Sequence, residues 1–358
     1  MENILTYLER NGNKSFKQLE FTEIDNVIFS SISYSEFGGI ISENRNFMRL
    51  YDALEIFLRK YTIKDAAKLG IAQTDSYKII REIVGLKRYR DVLVYNYKYI
   101  GDKEKQFCAM TFKLRNTFTY VAFEGTDHLL SGWKEDFEMV YKFPVPAQEY
   151  AIRYLNETVN MFDKNLIIGG HSKGGNLALV SSMYCHPLIR FKINRIYSND
   201  GPGLRLNEIN SHEYKRIEKR LIQIIPNYSL VGLLLRHNDN FTVIRSTKKD
   251  ILAHSVLTWI IDYNTFKRTK LSNLSKKLDK SIIIWLDNHD DATRKKIVTA
   301  LFKALEDAGV YNLYDIKKIK TGFKVIKNLT SIDKETRNLM FDFLSFNISY
   351  VFDKKNNE

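Results

Sequence analysis

A serine set among glycines, between a strand-like and a helix-like segment, constrains the fold of this chain more than any other feature. Residues 166–168 form an aliphatic run suited to a buried strand, and residues 176–180 suit the first turns of a helix. Between them lies Gly170-His171-Ser172-Lys173-Gly174, a G-x-S-x-G motif. Glycine is expected at positions 170 and 174 for a steric reason. The serine of such a sharp turn has a strained backbone, and the strand and the helix on either side can approach each other only if no Cβ lies between them.

The pentapeptide alone is a weak signal, and the alternative is a loop that only turns the chain or cradles a phosphate. A phosphate-binding loop needs Lys and then Ser or Thr after its last glycine, whereas Asn176-Leu177 stands there. The strand before, the helix after and the additional glycines Gly169 and Gly175 therefore favour a nucleophile elbow, with Ser172 as the nucleophile.

The rest of the chain predicts an α/β fold, with a mostly parallel sheet covered by helices on both faces. Strand-like and helix-like segments alternate from residue 118 to residue 261, which is the pattern of such a sheet. Runs of β-branched and aromatic residues predict an antiparallel meander over 92–97, 107–113 and 118–123. Apolar residues at helical spacing predict helices outside this core, at 24–34, 46–60, 75–84 (with Thr74 or Asp75 as N-cap), 271–278, 292–309 and 334–353.

These patterns divide the chain into three predicted units. Residues 1–90 form a helical N-terminal segment packed on the core, residues 91–261 form the α/β-hydrolase core, and residues 262–358 form a helical C-terminal region. The sequence leaves the role of the last unit open between a lid, a partner surface and a membrane-facing cap.

Composition excludes several classes of protein. The 358 residues are 44% hydrophobic and 27% charged, as in soluble globular proteins, and no apolar run has the length of a membrane span. The N-terminus does not have the pattern of a signal peptide, and the two cysteines, Cys108 and Cys185, imply neither a disulfide framework nor a metal site. We therefore expect a cytoplasmic protein with no metal and no organic cofactor.

The net charge of +13 would attract anionic partners, such as nucleic acid or an anionic membrane surface. The lysines are spread along the whole chain, so a solvated surface is the favoured interpretation. Peripheral contact with an anionic membrane comes second and nucleic acid a distant third. The sequence says nothing of the oligomeric state.

A serine hydroxyl needs a base and a group that orients the base. Five histidines follow Ser172, and His254 is favoured over His237 because it follows the last candidate strand, at the carboxyl edge of the sheet. Asp200 ends a strand directly before Gly201-Pro202-Gly203, so we expect its carboxylate beside the elbow as the acid. An Asx-turn is the structural alternative for Asp200, and two other acids, Asp239 and Asp250, are closer to His254 in sequence.

The developing oxyanion needs N–H donors. One is expected from the backbone of Lys173, the residue after the nucleophile, and the other from the loop after an early strand, with Thr126 as the candidate. We expect His171 to serve as a packing or hydrogen-bonding residue of the elbow.

These motifs carry a resemblance to known proteins. Phe123-Glu124-Gly125-Thr126, the segment 170–178 and a late histidine resemble the class 3 lipase arrangement within the α/β-hydrolase superfamily. More closely, the chain resembles the Mbeg1-like family, a bacterial group of α/β hydrolases. The residues that carry this closer match are Asn3-Ile4-Leu5, Tyr7-Leu8, Phe21, residues 23–26, residues 198–203, Ser229-Leu230-Val231-Gly232, His254 and Trp259.

The resemblance implies an α/β-hydrolase fold and a serine-hydrolase site, but no settled substrate. The chain departs from the lipase pattern twice. Class 3 lipases usually place their acid after the strand that ends here near Pro226, where Asn227-Tyr228-Ser229 stands, which moves the acid role to Asp200. They also tend to have an apolar residue after the nucleophile, and Lys173 in its place favours an anionic or more polar substrate.

The sequence thus predicts a serine hydrolase that cleaves a carboxylic ester, of a small molecule or a lipid, through an acyl-enzyme. A non-catalytic protein that keeps the fold and uses its pocket or basic surface for binding is the first alternative. An amidase or peptidase with the same three residues is the second, because the residues do not separate an ester from an amide.

Overall fold

The computed structural model describes residues 2–101, 106–126, 130–238, 240–311 and 328, with the side chains of residues 131 and 250 left aside. The predicted helix at 334–353 lies outside the described residues. A central sheet of eight strands organises the described part of the chain, and a two-stranded ribbon lies beside it. The sheet strands are β1 (Met48–Arg49), β2 (Leu93–Gly101), β3 (Gln106–Leu114), β4 (Phe118–Phe123), β5 (Leu166–His171), β6 (Ile193–Asn199), β7 (Leu221–Pro226) and β8 (Thr242–Ile244), and the ribbon strands are β9 (Ile261–Asp262) and β10 (Thr265–Phe266).

The strands lie in the sheet in chain order. β1 to β4 pair antiparallel, with β2 to β4 as the predicted meander and β1 added at its edge, and β4 to β8 pair parallel. Every residue of β4 and of β5 is buried, which explains why these strands read as continuous apolar runs with no polar face. The prediction of an α/β fold with a mostly parallel sheet is confirmed.

Fourteen helices surround the sheet within the described residues. Those before β5 are α1 (Ile4–Asn11), α2 (Glu23–Ile32), α3 (Leu50–Lys60), α4 (Ile63–Leu69), α5 (Ile71–Ile83), α6 (Lys87–Arg90), α7 (Leu130–Glu138) and α8 (Pro146–Thr158). Those after it are α9 (Lys173–Tyr184), α10 (Pro187–Lys192), α11 (Leu206–Ile209), α12 (His212–Lys215), α13 (Asn273–Asn288) and α14 (Asp291–Asp307). None of the helices in the described ranges is both long and apolar enough to cross a membrane.

Strand order decides which helices cover which face. Parallel strands laid down in chain order are joined by right-handed crossovers, so the crossover helices gather on one face. There α8 and α9 bury apolar side chains against β3 to β6. The opposite face is covered by the N-terminal helices α1, α2 and α5, which share the larger core cluster with β2, β3 and β4.

The N-terminal helices differ from the prediction in two ways. α1 and α4 were not predicted as helices, although each has a side-chain N-cap, Asn3 for α1 and Thr62 for α4. Asp75 does not cap α5, which begins at Ile71. Asp75 lies inside that helix, 5% exposed, where its carboxylate accepts a hydrogen bond from the Ser255 hydroxyl at 2.5 Å.

The C-terminal helices α13 and α14 pack on α7 and on the loop after β7. Trp285 and Ile297 share a core cluster with Met139 and Leu235, and α14 packs further apolar residues against α7. Arg294 adds a hydrogen bond to the carbonyl of Val140 at 3.0 Å. The pair of helices α13 and α14, called the hairpin below, therefore lies against α7 and the loop after β7.

Candidate active site

Ser172 stands between the end of β5 and the start of α9, on a backbone that L-residues rarely adopt. Its φ is 58° and its ψ is −134°, and its N–H donates to the carbonyl of Asn199 at 3.0 Å. A Cβ on Gly170 would lie 2.2 Å from the carbonyl carbon of Gly174, and one on Gly174 would lie 2.1 Å from the carbonyl oxygen of Phe123. The glycines thus allow strand, turn and helix to approach, and the strain at Ser172 raises its hydroxyl out of the turn.

His254 and Asp200 meet at the carboxyl edge of the sheet. Nδ1 of His254 lies 2.6 Å from Oδ2 of Asp200, whose side chain is fully buried, while that of His254 is 21% exposed. A carboxylate only accepts, so Nδ1 carries the proton and Nε2 is left with the lone pair that a base needs. The loop that carries His254 is fixed by buried Trp259, whose indole N–H donates to the carbonyl of Ala253 at 2.9 Å.

The second oxygen of Asp200 is held by the loop after β7. Oδ1 accepts the Ser229 hydroxyl at 2.5 Å and the backbone N–H of Gly232 at 3.1 Å. A Cβ on Gly232 would lie 2.3 Å from that oxygen, so glycine is required for the approach. Ser229, in the loop after β7, therefore binds the carboxylate that follows the neighbouring strand β6.

Ser172 and His254 line one pocket, of about 300 Å³, that opens at the carboxyl edge of the sheet. Both residues belong to the part of the chain that the structure describes, and no hydrogen bond joins the Ser172 hydroxyl to the His254 ring there. The orientation of Asp200 and His254 relative to each other is thus built into the fold.

His171 and Tyr34 hold the two sides of this pocket together. Nε2 of His171 lies 2.9 Å from the carbonyl of His254, so it carries a proton and donates, while Nδ1 faces the Tyr34 hydroxyl at 3.1 Å. Burial, and then the charge on His254, lower the pKa of His171 well below its usual value. His171 is therefore neutral near pH 7 and acts as a hydrogen-bonding residue of the elbow.

The side chains of Thr126 and Lys173 both make polar contacts within the protein. The Thr126 hydroxyl donates to Oδ2 of Asp136, which anchors the loop after β4 beside Ser172. The ammonium group of Lys173 is 1% exposed and lies 3.1 Å from both Oε2 of Glu135 and the carbonyl of Gln106. The expectation that the Lys173 side chain favours an anionic or polar substrate is wrong, because that side chain faces the interior. Its backbone N–H lies at the start of α9.

The alternative base His237 lies elsewhere, and the alternative acids fall outside what the structure describes. Nε2 of His237 lies 3.6 Å from Oδ1 of Asp279 of α13, and His186 caps α10. Asp239 is outside the described residues, and the side chain of Asp250 is not described. Among the described residues no group of three or more His, Cys, Asp and Glu side chains could hold a metal ion.

The chain is similar to a protein family and to a solved structure. A family model described as Mbeg1-like matches residues 83–303. The chain belongs to the Mbeg1-like family. Among solved structures, this Mbeg1-like chain is similar to the crystal structure of M37 lipase, with 16% identity and a TM-score of 0.33 over 60% of this chain and 69% of that one. No curated protein matches the chain significantly.

Sequence reasoning missed two residues at the site of this Mbeg1-like protein. Tyr34 follows α2, and its fully buried hydroxyl faces the Ser172 side chain and the backbone of Gly125 as well as His171; burial raises the pKa of Tyr34 well above its usual value, so it stays protonated. Asp75 lines the pocket from α5, and burial raises the pKa of its carboxyl. The only signal in the sequence was that each residue has a polar group and lies at the end of a predicted helix, 24–34 for Tyr34 and 75–84 for Asp75.

Proposed function

We propose that this α/β-hydrolase-fold protein is a serine hydrolase that cleaves carboxylic esters through an acyl-enzyme. The observation that carries the proposal is the pair formed by His254 and buried Asp200, which shares a pocket with a serine held in the strained elbow conformation. A neutral imidazole oriented by a carboxylate, beside a raised hydroxyl, is the apparatus of acyl transfer.

In the first half of the reaction Oγ of Ser172 forms a bond to the ester carbonyl carbon while Nε2 of His254 takes the hydroxyl proton. Asp200 stabilises the imidazolium that results. The negative oxygen of the tetrahedral intermediate is bound by the N–H of Lys173 and that of Thr126, and the start of the twelve-residue helix α9 adds its dipole. The bond to the alcohol oxygen then breaks, and that oxygen takes the proton from Nε2.

In the second half water attacks the acyl carbon and gives its proton to Nε2 of His254. The bond from the acyl carbon to Oγ breaks, and Ser172 recovers the proton. The gap between Ser172 and His254 in the free protein is consistent with this sequence, because catalytic hydrogen bonds often tighten only in the substrate complex.

A fluorophosphonate probe tests the nucleophile. We expect the wild type to be labelled and Ser172→Ala to be unlabelled, while Ser255→Ala, which removes another serine of the same pocket, still reacts. Hydrolysis of p-nitrophenyl butyrate should fall about 10⁴-fold in Asp200→Asn, because the amide no longer holds the Nδ1–H tautomer of His254. Equal labelling of wild type and Ser172→Ala would remove Ser172 from the role, and an inert wild type would leave a binding protein on a hydrolase fold.

A further inference from the structure

Ser172 lies at the junction of two pockets of different character. The histidine-side pocket, of about 300 Å³, is the one that Ser172 shares with His254, and it reaches to Leu69 and Asp75 of the N-terminal helices. The helical-tail pocket, of about 130 Å³, lies between α7 and the hairpin of α13 and α14. Ser172 and Trp133 line both pockets, whereas His254 lines only the first.

The chemistry of acyl transfer assigns the two halves of an ester to these pockets. The imidazolium must return its proton to the oxygen of the departing alcohol, so the alcohol has to lie on the side of His254. The acyl carbon stays bonded to Ser172 while water replaces the alcohol on that same side. The acyl chain must therefore extend away from His254, and the helical-tail pocket is the space that opens from Ser172 in that direction.

The helical-tail pocket has an apolar lining. Ile282, Trp285 and Ile297 come from the hairpin, and Leu234 and Leu235 come from the loop after β7. Asp136 is its ionisable residue, and the carboxylate of Asp136 is engaged by the Thr126 hydroxyl. The histidine-side pocket is also mostly apolar, but it is lined by more polar residues than the helical-tail pocket, among them Gln73, Asp75 and Ser255.

We infer that the helical-tail pocket binds the hydrocarbon chain of the acyl group, so that the substrates are esters of apolar acids. This inference rests on the proposed function and assigns the C-terminal hairpin the role of acyl-chain site. Each methylene that the pocket removes from water raises kcat/KM about fourfold, the equivalent of about 0.8 kcal/mol, until the pocket is full.

Two matched substitutions test the assignment. Leu234, 37% exposed, lines the helical-tail pocket, and Leu69, 42% exposed, lines the histidine-side pocket, so each can be enlarged to Trp at similar burial. p-Nitrophenyl esters from acetate to dodecanoate vary the acyl chain at a fixed leaving group. We expect Leu234→Trp to lower the ratio of kcat/KM for octanoate to that for acetate at least tenfold, and Leu69→Trp to leave this ratio within about threefold of the wild type.

The reverse series varies the alcohol of acetate esters and should show the opposite pattern, with Leu69→Trp reducing turnover of bulky alcohols. Leu234→Phe and Leu69→Phe replace any variant whose thermal unfolding shows that it does not fold. If Leu234→Trp keeps the wild-type chain-length profile while the fluorophosphonate still labels Ser172, the acyl assignment is wrong and the proposed function stands. If the wild type is neither labelled nor active on any ester, the proposed function fails and this inference fails with it.

Discussion

At the scale of single residues, the site uses hydrogen bonds to fix the protonation of two adjacent imidazoles in opposite senses. Asp200 makes Nδ1 the protonated nitrogen of His254, and the carbonyl of His254 makes Nε2 the protonated nitrogen of His171. The two rings lie 4.3 Å apart, centroid to centroid. A charge on His171 would oppose the imidazolium that forms on His254, so burial that keeps His171 neutral serves the proposed chemistry.

The lowered pKa of His171 predicts a pH dependence of stability. A histidine with a folded-state pKa below its unfolded value of about 6.5 binds more protons unfolded than folded, so stability is complete above that pH and falls as the pH drops below it. One such group contributes a slope of at most about 1.4 kcal/mol per pH unit. Urea unfolding between pH 7.5 and pH 5 should therefore show a smaller loss of stability in His171→Gln than in the wild type.

His212→Gln is the control for that experiment, because His212 is exposed in the short helix α12. This variant should keep the slope of the wild type. Identical slopes in all three proteins would mean that His171 takes up its proton in the folded state as easily as in the unfolded state.

At the scale of elements, the sequence predicted what local sterics and periodicity determine. The strands β2 to β7 were placed within a few residues because β-branched and aromatic runs fit a pleated, buried surface. The turn at Ser172 was predicted from its glycines together with the strand before them and the helix after them. In contrast, β1 has two residues and is set by its pairing with β2, which no local pattern reveals.

The site residues predicted from the sequence are those that follow strands in the chain. Asp200 and Ser172 directly follow β6 and β5, so chain order placed them at one edge of the sheet. Tyr34 and Asp75 reach the site through the packing of α2 and α5 on the other face, which is tertiary information. The side chain of Lys173 was misread because its charge suggested solvent or ligand, whereas Glu135 lies beside it in the interior.

The close packing at the elbow predicts that replacing its glycines destabilises the protein more than replacing a glycine in an open turn. A Cβ on Gly174 would press on the backbone oxygen of Phe123, which cannot move without breaking β4, so Gly174→Ala should cost about 1–3 kcal/mol or more. Gly85→Ala is the matched control, because nothing lies within 4 Å of its added Cβ. We expect a clear fall in the thermal midpoint for Gly174→Ala and none for Gly85→Ala, measured by circular dichroism; equal midpoints would contradict the close approach at the elbow.

At the scale of the whole molecule, the N-terminal helices both cover one face of the sheet and support the residues of the site. Asn26 of α2 donates to Oδ1 of Asn199 at 2.8 Å, and the amide of Asn199 donates to the carbonyl of Gly170 at 3.0 Å. Tyr34, which follows α2, adds a contact between its hydroxyl and the Ser172 side chain. Residues 83–303, which the family model matches, leave α2 out, although α2 supports the strand ends that carry Ser172 and Asp200.

A buried ion pair joins α2 to α6 within the N-terminal segment. The guanidinium of Arg88 binds both carboxylate oxygens of Asp25, at 2.8 Å and 2.6 Å, and donates to the carbonyls of Leu19 and Glu20. Both side chains of the pair are 0% exposed. Burial by itself would lower the pKa of Arg88, but its hydrogen bonds and charge interaction with Asp25 outweigh that effect and raise it.

Breaking this pair should therefore loosen the whole molecule and with it the site. Arg88→Met leaves the Asp25 carboxylate buried without its cation, which costs about 3–5 kcal/mol, while Arg88→Met with Asp25→Asn removes the orphaned charge and should recover part of that loss. Arg59→Met, which removes the exposed partner of Glu55, should cost less than about 1 kcal/mol. Urea unfolding followed by tryptophan fluorescence gives the three values. A single variant no less stable than the double would show that Asp25 is stabilised without Arg88, and α2 and α6 would then be held together by apolar packing rather than by this ion pair.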